Sequence, residues 1–133
     1  MGEPVTEWSF GDVDAGFADA ALMLDETFTT AGMSHHSMEP RTSMAYWENG
    51  KLFLYGSTQS QTAVMPGLAG MLEMDVDDIV YISEYCGGGF GSKARAYPVM
   101  CISALMSRKL QRPVMLRIAR HEEYYVGMAR PGF

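Results

Sequence analysis

Apolar and polar positions along the chain fall into short, well-separated patterns. Asp12–Ala21 predicts a short helix, with Asp12 as its cap and Val13, Phe17 and Ala20 on one face, although Gly16 interrupts it. Leu22–Thr30 then alternates in a way that predicts a strand. Ser43–Trp47 and Leu52–Tyr55 are β-rich runs joined through Glu48-Asn49-Gly50-Lys51. Asn-Gly supplies the positive-φ residues of a tight turn, so this stretch predicts a β-hairpin.

Ser57 or Thr58 is positioned to cap a helix over Gln61–Met71, with Pro66-Gly67 as a breaker in its middle. Asp75, Asp77 and Asp78 form a short acidic run, expected as a solvated loop. Ile79–Tyr85 (IVYISEY) is the strongest strand pattern, and it runs into Cys86-Gly87-Gly88-Gly89-Phe90-Gly91-Ser92-Lys93. A helix follows from about Arg95 to Leu110, with Val99, Ile102, Leu105, Met106 and Leu110 near helical spacing. Pro98 fits such a helix only in its first turn. Gln111-Arg112-Pro113 ends it, and Val114–Ile118 predicts a last strand. The expected class is α+β: a β-hairpin plus a strand–Gly loop–helix–strand unit of βαβ type.

Composition narrows the function. The chain has 133 residues, enough for one small core. Its 10 Lys+Arg against 16 Asp+Glu give a net charge of −6, which argues against binding a phosphate backbone. No apolar run is long enough to cross a bilayer. Met1-Gly2-Glu3-Pro4 has neither the basic flank nor the apolar core of a signal peptide. Cys86 and Cys101 cannot make a disulfide framework, so both are expected as reduced thiols in a cytoplasmic setting.

The feature with most chemical content is the loop Gly87–Lys93, which carries four glycines in five residues. Such a backbone can turn back on itself and expose several N–H groups at a helix N-terminus, a surface suited to an anion or a flat polar cofactor. It is neither a Walker loop nor a dinucleotide fingerprint. A glycine-rich turn with no ligand, in a non-catalytic binding module, is the competing reading. His35 and His36 are adjacent, so on extended backbone they point apart and chelate poorly, which assigns them to packing or hydrogen bonding. No GxSxG elbow is present, and Cys86 is expected as a small packed residue.

Taken together, HHSMEP, STQ, CGGGFGSK and RPVMLRIARHEEY resemble, in that order, the molybdenum-binding large subunit of the xanthine oxidase family. That family includes xanthine dehydrogenase, aldehyde oxidase and aerobic carbon monoxide dehydrogenase. The resemblance implies that residues 1–32 are the tail of a small, hammerhead-like N-terminal domain. Residues 33–133 would be the first part of a molybdopterin-binding domain, and the chain a fragment. Gln59 would sit beside the molybdenum and hydrogen-bond one of its oxygen ligands. Gly88, Gly89, Phe90 and Gly91 would lay backbone against the molybdopterin, in its simple or cytosine dinucleotide form. Glu39, in the MEP segment, would be structural. The dithiolene sulfurs of the pterin would hold the metal, so no protein ligand to it is expected. Iron–sulfur clusters and FAD would lie on partner subunits or domains, and the family's general-base glutamate beyond residue 133. The reaction implied is hydroxylation of an aldehyde or an N-heteroaromatic C–H with oxygen from water. Purine-oxidising members have a glutamate where this chain has Ala94.

Overall fold

Asn49 and Gly50 lie at φ 50° and 79°, as a two-residue turn between twisted strands requires. They close the hairpin of β1 (Thr42–Glu48) and β2 (Lys51–Gly56), in which Ala45 faces Leu54 and Tyr46 faces Phe53. The computed structural model describes residues 8–133, so residues 1–7 of the expected N-terminal segment lie outside the described part.

Ser60 caps α2 (Gln61–Leu72) by accepting from the Ala63 N–H, a role expected of Ser57 or Thr58. Those two are buried beneath the turn instead: Thr58 is tied to the Lys93 carbonyl. The helix runs through Pro66 and buries Val64, Leu68, Ala69 and Leu72. A single 3-10 turn (Val76–Asp78), capped by Asp75, leads into β3 (Ile79–Ile82). This strand is shorter than expected because the chain leaves the sheet at Ser83, once its pairing with β2 ends at Tyr55–Ile82. α3 spans Pro98–Leu110 with Pro98 at its start, and β4 covers Val114–Arg117. A short helix, α4 (Arg120–Glu123), follows.

The sheet order is β3-β2-β1-β4. β2 and β3 are parallel, whereas β1 is antiparallel to both β2 and β4. β3 and β4 therefore run the same way at opposite edges, with the hairpin inserted between them. The adjacent parallel pair is β2–α2–β3, a crossover that the broken pattern around Pro66 concealed. Ala45, Leu52, Leu54, Ile79 and Tyr81 face the helices and form the core with Val64, Leu68, Tyr97 and Met100. On the other sheet face lie Met44, Tyr46, Phe53, Tyr55 and Met115, with the Tyr46 and Phe53 rings stacked at 4.8 Å.

One expected element is absent. Leu22–Thr30 is not a strand: it runs exposed, and within it only Thr30 has a backbone partner, the Phe133 carbonyl, so alternation alone does not make a strand. α1 (Val13–Ala18) does form, capped by Asp12, yet it buries nothing, and Val13 and Phe17 are exposed.

α3 shows which side of its stripe matters. Of the apolar positions expected there, only Val99 is buried; Ile102, Leu105, Met106 and Leu110 are 42–48% exposed. The sheet receives Met100, Ser103, Ala104 and Ser107 instead. Small residues let the helix lie close on β1, where the Ser43 and Ser103 hydroxyls hydrogen-bond and Trp47 Nε1 donates to the Ala104 carbonyl at 2.9 Å. Ala104→Leu is therefore expected to cost roughly 1–3 kcal/mol by overpacking. Ile102→Ala should cost well under the 2–5 kcal/mol typical of a buried aliphatic. Urea unfolding of both variants checks the assignment.

Candidate functional site

The glycine loop does not open a helix. α3 begins only at Pro98, and Phe90–Lys93 form a turn in which the Ser92 N–H donates to the Gly89 carbonyl at 2.8 Å. The expected helix N-terminus is absent at the loop, because Pro98 lacks an N–H and forces the preceding residue to be extended. Side chains from distant segments hold the loop instead.

Glu39 closes it. Its Oε2 accepts from the Gly87 N–H at 2.7 Å and from Lys93 Nζ at 3.0 Å, so one carboxylate oxygen binds both ends of the loop. The Glu39 N–H also donates to the Gly87 carbonyl, and Lys93 Nζ to the Glu39 carbonyl at 2.9 Å. Lys93 is fully buried, and a buried ammonium is tolerated only with such partners. Burial pushes the Glu39 carboxyl up. The Lys93 hydrogen bond, the Gly87 N–H and the Lys93 charge together outweigh it and hold the group below its ordinary value.

Gln59 forms the second attachment. Its Oε1 accepts from the Gly91 N–H at 3.0 Å and the Lys93 N–H at 3.2 Å, while its own N–H donates to the Lys93 carbonyl. Two backbone donors settle which end of the amide is oxygen, so the amide NH2 is left free to donate away from the loop. A Cβ on Gly89 would overlap the Gln59 side chain, and one on Gly87 would come 2.5 Å from Glu39 Cβ. These glycines are required by close approach.

Arg41 supplies the third. Fully buried, it donates through Nη2 to the Ser92 carbonyl at 2.6 Å and through Nη1 to the Val126 carbonyl at 2.7 Å, and pairs with Glu123. Glu123, also fully buried, accepts from the Arg41 N–H at 2.7 Å and lies 2.8 Å from His35 Nε2. His35 thus serves hydrogen bonding, as expected, while the His36 ring packs 4.9 Å from Tyr124. Tyr97, whose ring lies under Arg41 at 5.2 Å, has its hydroxyl pushed up to about 12, chiefly by burial. The fourth attachment is Arg130, which donates to the Phe90 carbonyl.

Gln59, Gly88, Gly89, Phe90 and Gly91 are therefore brought together, with Gln59 and Phe90 exposed. Cys86 is exposed rather than packed, its Sγ 3.7 Å from the Gly88 carbonyl. Arg41, Lys93, Glu123 and Arg130 were not singled out from the sequence. The only hint lay in charged residues within otherwise apolar or glycine-rich stretches.

The cradle fits a flat polar cofactor. Backbone replaces side chains at Gly87–Gly89, and the N–H groups of Gly88, Gly89 and Phe90 find no acceptor among the described residues. The sequence profile described as the molybdopterin cofactor-binding domain matches residues 2–133. The chain belongs to that family.

This cofactor-binding domain is 38% identical over 118 residues to the aldehyde oxidoreductase molybdenum-binding subunit PaoC of Escherichia coli K12, covering 89% of the chain and 16% of PaoC. It is 32% identical to the nicotinate dehydrogenase large molybdopterin subunit of Eubacterium barkeri, covering 95% of the chain and 30% of that subunit. Among solved structures, quinoline 2-oxidoreductase from Pseudomonas putida 86 superposes with a TM-score of 0.72 at 28% identity, over 89% of this chain and 15% of that one. The domain spans about a sixth of the length of PaoC. The relatives place it among molybdenum-binding subunits of the xanthine oxidase family. No helix among the described residues is long and apolar enough to cross a membrane.

Two outcomes follow. The unfolded chain takes up a Glu39 proton at its ordinary value of 4.5 and the folded domain only lower, so this stabilisation is full above 4.5. It is lost as pH falls through the folded value. Melting temperatures between pH 3 and 6 should show a fall that Glu39→Gln removes. Gly89→Ala should displace the Gln59 amide and raise hydrogen exchange at the Gly91 and Lys93 N–H groups, read by mass spectrometry.

Proposed function

We propose that this domain holds one side of a molybdopterin cofactor in a molybdenum hydroxylase that oxidises an aldehyde or an N-heteroaromatic substrate. The observation that carries the reading is the loop Gly87–Lys93. Its backbone is stripped of side chains, its middle N–H groups are unpaired among the described residues, and it is stiffened by Glu39, Gln59 and Arg41.

In this reading Gly88, Gly89, Phe90 and Gly91 lay backbone against the pterin, and Gln59 aims its free amide NH2 at the metal centre. Glu39 and Lys93 keep the loop from opening. Bound there, the cofactor supplies two-electron oxidation of an electron-poor C–H carbon with oxygen from water. Iron–sulfur and flavin groups on partner subunits or domains would accept the two electrons; the names of PaoC as a subunit and of the nicotinate dehydrogenase large subunit agree with such a division. The cytosine dinucleotide form of the pterin, a cytoplasmic location and a division into residues 1–32 and 33–133 belong to the same proposal. So does the general base, on a part of the parent protein beyond this domain, which alone would be inactive.

Ala94 follows the loop directly and offers a substrate neither a donor nor an acceptor. A site that lacks a polar handle cannot select strongly for a ring that needs one. PaoC agrees with this preference, being named an aldehyde oxidoreductase at 38% identity.

The parent protein is expected to carry about one molybdenum and one pterin per subunit, as for a single cofactor cradle. kcat/KM for an aromatic aldehyde or a pyridine-type ring should exceed that for xanthine. Gln59→Ala should keep the cofactor yet lower kcat by roughly 10²–10³, the usual value of one donor at a centre where charge develops. A parent protein without pterin would refute the reading.

A further inference from the structure

We infer that Arg130 is a positioning residue that sets the conformation of Phe90, and through it the face of the glycine loop; this rests on the loop being the cofactor cradle. Phe90 sits at φ 50°, a left-handed conformation that is costly for a bulky aromatic and persists only where its surroundings enforce it. Phe90 is 59% exposed, so side-chain burial does not enforce it. The Ser92 N–H bond to the Gly89 carbonyl closes the turn around it, and Arg130 adds a donor to the Phe90 carbonyl inside that turn.

Arg130 Nη2 donates to the Phe90 carbonyl, the group whose direction changes most if φ and ψ of this residue relax. Gly91, at φ 87°, makes the approach possible: a Cβ there would lie 2.9 Å from Arg130 Nη2. The base of the arginine is itself fixed. Its N–H donates to the Met33 carbonyl at 3.0 Å, and its carbonyl accepts from the Met33 N–H at 2.9 Å. Thr30 N–H donates to the Phe133 carbonyl at 2.8 Å, extending the same pairing. Among the ion pairs of the described residues none involves Arg130, so its guanidinium is committed to no carboxylate.

The four attachments of the loop differ in a way that makes this one separable. Arg41 and Lys93 are fully buried: removing Arg41 strands the buried Glu123, and removing Glu39 strands the buried Lys93. Arg130 is exposed, so its loss perturbs the loop without that penalty. Without it, the Phe90 carbonyl has no donor among the described residues, and only the Gly89–Ser92 turn bond and the Gln59 bond to the Gly91 N–H still restrain this stretch. The Gly89–Phe90–Gly91 backbone then turns, while Glu39 still holds the loop ends.

The test uses the complete parent enzyme carrying Arg130→Ala and, separately, Arg130→Lys. Molybdenum and pterin per subunit should match the unaltered enzyme, while kcat falls about tenfold to hundredfold, as for a small misplacement at a reacting centre. The EPR signal of the half-reduced molybdenum should change shape. Guanidinium ion added to Arg130→Ala should restore both rate and spectrum in part, which a purely structural arginine would not allow. Arg130→Ala and Phe90→Ala should also be non-additive, because they act on one element. Unchanged kcat and EPR signal in a cofactor-replete Arg130→Ala overturns the inference, whereas Arg130→Lys, which keeps a donor, should fall between Arg130→Ala and the unaltered enzyme. If Arg130→Ala fails to assemble, Arg130→Met, which keeps the length and loses the donor, decides it by the same two readouts. An unaltered enzyme lacking molybdenum or pterin overturns the cradle reading first, before any variant is compared.

Discussion

A single carboxylate oxygen, Glu39 Oε2, holds the first N–H and the last ammonium of the glycine loop. Four glycines in five residues lose more backbone freedom on ordering than an ordinary loop of that length does. A loop of that kind stays open unless something ties its ends. Lys93 can be buried only because Glu39 is there, and Glu39 is held by backbone bonds to Gly87 in return. Loop closure and charge burial are thus one interaction, and the placement of Gln59 against Gly89 depends on it.

Around this closure the fold converts long sequence separations into short distances. The segment from His35 to Arg41 enters β1, and Glu123 lies in α4 after β4, which pairs with β1 on the other side. Adjacent strands carry the two segments to the same end of the sheet, where Arg41, His35 and Glu123 meet in a buried cluster. Arg41 then reaches Ser92 from beneath the loop. The strand pairing, set by hydrophobic register, is therefore what lets a polar cluster form without leaving a buried charge unpaired.

The chemical consequence is a rigid backbone surface with few side chains. Glycines permit the close approach of Glu39 and Gln59, and charged residues behind them remove the flexibility that glycines bring. Gln59 is committed on one side to two loop N–H groups, so its remaining NH2 has a fixed direction. Preorganised donors of this kind need no reorganisation when charge develops near them.

Local chemistry was legible in the sequence wherever neighbours along the chain decide the outcome. Asn49-Gly50 dictates its own turn, Pro98 its place at a helix start, Asp12 its cap, and STQ with CGGGFGSK marks the residues that converge. What needed a partner from elsewhere was not legible. Leu22–Thr30 alternates but finds no strand to pair with. The stripe Ile102, Leu105, Met106 and Leu110 looks like a core face, yet β1 selects Ser103, Ala104 and Ser107 because small residues allow the closer contact. Arg41, Lys93, Glu123 and Arg130 are ordinary charges in one dimension. Burial and hydrogen-bond geometry alone give them a role, because the worth of a charge is set by what surrounds it and not by its neighbours in sequence.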